Sequence, residues 1–117
     1  MAIKDLTQVS RHLFLCNGGS CKNLGAEEST AAIRAAINDC GLADKIHTTK
    51  TLCNGRCKDG PVVIAQPDGI WFKQVSKEKA AEFVHNFLVQ NVVPDNMLLF
   101  EYGSDVIHAV EPPVPAN

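Results

Sequence analysis

The sequence predicts one small α/β domain: a β-α-β unit, then a hairpin and a closing helix. Three observations point there. A short apolar-rich run, Arg11 to Leu15, stops at the loop chemistry of Asn17-Gly18-Gly19-Ser20. Beyond Glu27, residues Ile33, Ala36, Ile37 and Cys40 fall at i, i+3, i+4 and i+7, one face of a helix. Residues 45–52 (KIHTTKTL) then alternate loosely and are rich in β-branched types, as a strand is. Strand, helix and strand in that order predict a parallel pair joined by a crossover.

The elements follow in chain order. Residues 1–10 are polar and mixed, a lead-in to the first strand. Glu27 and Glu28 suit the positive end of the first helix, and Gly41 follows its last apolar position as a stop. Residues 53–61 are all loop chemistry. Val62 to Ala65 is a compact strand, Pro67-Asp68-Gly69 a turn, and Ile70 to Val75 the second arm of the hairpin. Ser76 is placed to cap a second helix whose buried stripe is Ala80, Phe83, Val84, Phe87, Leu88 and Val92. Pro94 ends it. Met97 to Tyr102 is expected either as a short strand or as a packed extended segment. The last six residues hold three prolines and are expected to be disordered. The division is therefore 1–10 lead-in, 11–93 domain and 94–117 C-terminal extension.

Bulk chemistry narrows the function classes. The chain has 117 residues, enough to bury somewhat over about 60% of its unfolded surface without disulfides. Lys and Arg number 11 against 13 Asp and Glu. No basic surplus exists to neutralise a nucleic-acid backbone. No stretch approaches the roughly 18 apolar residues of a membrane span, and no basic amphipathic segment suggests a membrane surface. Near the amino end the longest apolar run is Leu13-Phe14-Leu15, far short of a signal-peptide core. The expected compartment is the cytoplasm.

Five cysteines are then the anomaly. Cytosolic thiols stay reduced, so clustered cysteines there usually serve metal or redox chemistry. Their spacing is Cys16-x4-Cys21, 31 residues, then Cys53-x3-Cys57. If the two strands are parallel neighbours, both loops leave the same end of the sheet and the four meet in space. Four thiolates suit zinc or an iron–sulfur cluster. Zinc knuckles mostly use the tighter Cys-x2-Cys, although wider spacings occur. The longer loops here suit a larger object, and Gly18, Gly19 and Gly55 let backbone amides approach sulfur. The helix amino end and the cations Lys22, Arg56 and Lys58 would offset an anionic cluster; as plain surface charges they would do nothing.

The residues also carry a resemblance. His12-Leu13-Phe14-Leu15-Cys16-Asn17-Gly18-Gly19-Ser20-Cys21, with Gly25-Ala26-Glu27 behind it, resembles the opening of the thioredoxin-like 2Fe–2S ferredoxins. Cys53 to Val62 resembles their second ligand loop, and Gly69-Ile70-Trp71-Phe72 with the Val-Ser-x-Glu helix start resembles their hairpin and closing helix. The likeness covers roughly residues 11 to 90. It implies a thioredoxin-like two-layer sandwich, β-α-β-β-β-α, with a four-stranded mixed sheet and two helices. It also implies a 2Fe–2S cluster held by Cys16, Cys21, Cys53 and Cys57, a homodimer, and a one-electron carrier between redox partner proteins. The same domain type recurs in a peripheral subunit of respiratory complex I and in some hydrogenase subunits, so a subunit or regulatory role stays open.

Rival readings remain at this point. A structural zinc module would use the same four cysteines. A thiol–disulfide enzyme would use Cys53 and Cys57, but the chain has no Cys-x2-Cys. No acid/base or nucleophile constellation is visible, so no substrate chemistry is expected. Cys40 reads as an inert core residue on the helix stripe. Trp71 reads as core, and His85 as a rim or surface residue. The four histidines do not form the close pairs of a Rieske centre. Gly60-Pro61 is a candidate for a cis bond, with trans the commoner state.

Overall fold

The computed structural model describes residues 5–55, 59–102 and 107–109. The chain opens with a 3-10 turn at Leu6–Gln8, then β1 (Arg11–Cys16), a short helix α1 (Gly19–Asn23) and the long helix α2 (Ala26–Asp39). After β2 (Ile46–Thr51) come β3 (Val63–Gln66), β4 (Ile70–Phe72) and α3 (Ala80–Phe83), which continues as a π-helical stretch over Val84–Val89. Two more strands follow, β5 (Leu98–Tyr102) and β6 (Ile107–Ala109).

The sheet order is β2-β1-β3-β4-β5-β6. β1 and β2 are parallel neighbours, with Arg11 opposite Ile46 and Cys16 opposite Thr51. Every other pairing is antiparallel. The first four strands reproduce the expected β-α-β-β-β-α core. The expected four-stranded sheet is corrected to six, because β5 pairs with the edge that β4 would otherwise leave open.

Alternation divides the sheet into two faces. Leu13, Leu15, Val63, Ala65 and Phe72 pack with Ile33 and Ile37 of α2 and with Phe83, Val84, Phe87 and Leu88. Phe72 stands edge-on to Phe83, with ring centroids 4.8 Å apart. Arg11 closes the far end of this layer. Its guanidinium bonds both carboxylate oxygens of Asp68, at 3.1 and 3.3 Å, and donates to the Phe87 carbonyl at 3.2 Å. It also lies 4.4 Å from the Phe87 ring centroid. On the opposite face, Phe14, Ile64, Trp71 and Phe100 stand in register across β1, β3, β4 and β5.

Several expectations change in detail. Cys40 is exposed, not core. The helix ends at Asp39, and Cys40 takes the C-cap with ψ near 0°, so the i+7 position has left the apolar stripe. Gly41 follows at φ +71°. The hairpin's second arm stops at Phe72, where the register shifts; Lys73 then bonds the Met97 carbonyl and Gln74 turns to φ +52°. Ser76 does not cap α3: Lys79 holds that position, and no side chain caps it. Val92 is 55% exposed, because the helical stretch ends at Val89 and Asn91 swings to φ +58°. Trp71 is only partly buried, edge-on to Phe100 with centroids 5.7 Å apart. His85 is exposed, as expected. The Gly60–Pro61 and Gln66–Pro67 peptides are both cis. The expected disorder of residues 112–117 lies outside the described residues.

Candidate metal centre

The parallel pair carries both cysteine segments to one end of the sheet. Cys16 is the last residue of β1, 4% exposed, beside Val62 and Ala26. Its thiol donates to the Leu52 carbonyl at 3.4 Å, just beyond the end of β2. The next amide, Asn17 N–H, bonds the Thr51 carbonyl at 2.8 Å. The chain leaving β1 is thereby pinned to the chain leaving β2.

Gly18 makes the closest approach. A Cβ built there would sit 2.8 Å from both the Cα and the backbone nitrogen of Cys53. The two loops touch backbone to backbone, and only glycine permits that separation. Gly19 differs, since its Cβ would meet nothing within 4 Å. Cys53 itself is exposed, and the Gly55 amide donates to its sulfur at 3.3 Å. Asn54 holds this turn by donating to the Thr51 hydroxyl at 2.7 Å and the Leu52 carbonyl at 3.2 Å.

Cys21 lies inside α1, one helical turn rather than the loop expected from the glycines. The Lys22 amide bonds the Gly18 carbonyl, so α1 begins where Gly18 meets Cys53. Cys57, with its neighbours Arg56 and Lys58, lies outside the described residues. The structure therefore brings Cys16 and Cys53 to one locus and starts the Cys21 helix there. Among the described residues no three His, Cys, Asp or Glu side chains form a group able to hold a metal ion. His12 and His47 neighbour each other across β1 and β2. Four residues separate them from the cysteine end of their strands, which puts them about 13 Å away.

Asn17 was not foreseen. It is 5% exposed, and its side-chain amide donates to the Leu15 carbonyl at 3.0 Å and the Thr30 hydroxyl at 3.1 Å. It fastens the Cys16–Gly18 turn to α2. An asparagine between a cysteine and a Gly-Gly pair is the one sequence signal that could have marked it.

Fold and site together define a mixed α/β sandwich with Cys16 and Cys53 side by side at one end of its parallel pair. No family model matches the chain. A 2Fe–2S ferredoxin by name from Priestia megaterium is 42% identical over 98 residues, covering 84% of this chain and 76% of its own. A 2Fe–2S ferredoxin of Aquifex aeolicus is 34% identical over 87 residues, covering 67% and 78%. The solved thioredoxin-like [2Fe–2S] ferredoxin of Aquifex aeolicus superposes with a TM-score of 0.76 at 28% identity, covering 81% of this chain and 94% of that one. The chain belongs to the 2Fe–2S ferredoxins of thioredoxin-like fold.

Proposed function

We propose that this chain holds one 2Fe–2S cluster on Cys16, Cys21, Cys53 and Cys57 and passes single electrons between partner proteins. The observation that carries the reading is the contact of Gly18 with the Cys53 backbone. It joins the Cys-x4-Cys and Cys-x3-Cys segments at a separation that leaves no room for a Cβ on Gly18. The residues present fit such a group. The donor set is four thiols, and the Gly55 amide already points at a ligand sulfur, the bond that stabilises thiolate charge. When bound, the cluster supplies a one-electron couple.

The chain's own residues do the rest. Cys16 is buried beside Val62 and Ala26, which keep water from one side. Cys53 is exposed and brings the other side to the surface, where electrons can leave. No helix of the described residues is long and apolar enough to cross a membrane. The reading is of a cytoplasmic carrier without substrate chemistry of its own, binding neither nucleic acid nor membrane. It is also of a homodimer, supported by the partly exposed Phe14, Trp71 and Phe100, in register through Ile64 on the sheet face opposite α2 and α3.

Anaerobic purification tests the site. The expected product is red-brown, with two irons and two sulfides per chain and a one-electron paramagnetic signal on reduction. Serine at any one of the four cysteines should abolish or destabilise the cluster. A colourless protein holding one zinc would overturn the reading. Sedimentation tests the dimer: Trp71→Glu should release monomers, and a monomeric wild type would exclude it.

A further inference from the structure

The electrons need a way out, and the charges are unevenly distributed along the sequence. Segments 16–26 and 46–58, which hold all four proposed ligands, contain four of the chain's 11 Lys and Arg: Lys22, Lys50, Arg56 and Lys58. They contain none of its 13 Asp and Glu. Seven cations and 13 anions are left for the remainder, so the ligand segments of a chain of formal charge −2 are themselves net basic.

The described residues give this end a shape. Leu52, next to Cys53, is 82% exposed, the most exposed large apolar side chain among those described. Lys50, two residues before it, and Lys22 are both exposed. Lys50 stands opposite Leu15 in register and so projects from the helix side of the sheet, and Lys22 lies in α1, whose first turn starts at the Gly18–Cys53 contact. Arg34 of α2 lies against the same edge, its Nε donating to the Thr48 hydroxyl at 2.9 Å. Glu27, just past the first segment, has its carboxylate 3.9 Å from Lys22. A bound 2Fe–2S cluster adds about −2, which the four cations of the two segments exceed.

We propose that Leu52 is the apolar centre of the electron-exchange surface and that Lys22 and Lys50 form its cationic rim. The partner it fits presents an acidic rim around an exposed apolar contact. This rests on the cluster reading above. A dry contact at Leu52 places the partner one residue from Cys53. The rim draws an anionic surface to that point, against the repulsion of the chain's net charge.

The test uses the reduced holoprotein and a small anionic oxidant, hexacyanoferrate(III). Each encounter moves one electron from the reduced cluster to the iron complex, giving oxidised cluster and hexacyanoferrate(II). Iron and sulfide content are measured first, so absence of the cluster is read separately from failure of this surface. Oxidation is followed by stopped flow at ionic strengths from about 10 to 150 mM, over which the screening length shrinks from roughly 30 to 8 Å. The rate is expected to fall as salt rises, although both reactants are net anions. The Lys22→Glu/Lys50→Glu pair should reverse that slope, and Leu52→Glu should slow the low-salt rate by at least about threefold. Val92→Glu, an exposed apolar position outside both segments, should leave the rate unchanged. A wild-type rate that rises with salt, or equal slowing by Val92→Glu and Leu52→Glu, would overturn the proposal.

Discussion

Replacing Gly18 by alanine adds one methyl group and should damage the site far more than the fold. The new Cβ would lie 2.8 Å from Cys53 Cα and N, and 2.9 Å from Cys53 Cβ. Ordinary contact begins at 3.4 Å, so the two loops must part by at least about 0.6 Å. Backbone stands on both sides, so no side-chain rotation relieves the overlap. Forced overpacking of this kind costs about 1–3 kcal/mol. A domain of this size survives that, and β1 and β2 remain paired by their register. A metal site does not tolerate it as easily, since ligand distances hold to within about 0.2 Å. Iron and sulfide per chain, and the rate of cluster loss to a chelator, are the assays. Gly18→Ala should load incompletely and lose its cluster at least about tenfold faster, a difference of 1.4 kcal/mol in barrier. Gly19→Ala, whose Cβ meets nothing, is the control and should match the wild type. Equal loading and equal lability in the two variants would refute the close-contact reasoning.

Three further outcomes are expected. Arg11→Met keeps the stem but leaves the Asp68 carboxylate and Phe87 carbonyl without their donor. It should cost about 1–3 kcal/mol, lowering Tm by several degrees with the cluster spectrum unchanged; an unaltered Tm would dismiss the clamp. Cys40 should be the single thiol that reacts quickly with a disulfide reagent in the holoprotein, and Cys40→Ala should remove that reaction while leaving stability within about 0.5 kcal/mol. Asp5 accepts hydrogen bonds from the Thr7 hydroxyl and amide, which hold its carboxyl below the usual carboxylate range. A depressed pKa means the contribution is complete above the unfolded value and fades as pH falls through the folded one. The Leu6–Gln8 turn should therefore fray only in acid, seen as a lower protection of the Thr7 amide against exchange.

The parts legible in sequence were those written in a period or a spacing. Ile33 and Ile37 declared the crossover helix because both sit on one 3.6-residue stripe. The cysteine segments declared the site because their spacing is itself the signal. The misses have a common cause, in that each was decided by a partner distant in the chain or by one backbone angle. Cys40 fits the stripe by count, but the helix stops one residue earlier. Val92 fits as well, yet the left-handed Asn91 turns the chain away first. Met97 to Tyr102 was legible as a strand or an extended segment, and the edge of β4 decides for the strand, which the expected four-stranded sheet left out. Gly18 looked like a residue that lets amides approach sulfur. Its use here is to let one backbone lie against another, a contact across 35 residues that no local pattern encodes.

The same logic makes the register of β1 on β2 part of the metal centre. A parallel pair sends both C-terminal ends the same way, so two loops 31 residues apart between Cys21 and Cys53 can share one locus. That would not suffice if the strands could slide. A slip of two residues preserves which side chains face inward, yet moves Cys53 by about 6.6 Å along the strand. No ligand set would survive it. What holds the register is burial at the other end: Ile46, 4% exposed, is the first residue of β2 and packs in the cluster with Leu13, Leu15 and Ile37. Thr48 is tied in turn to Arg34 of α2. Sliding β2 would drag Ile46 out of that cluster and break the Thr48 bond. The distance between the two cysteine loops is therefore set by apolar packing a full strand length away from them.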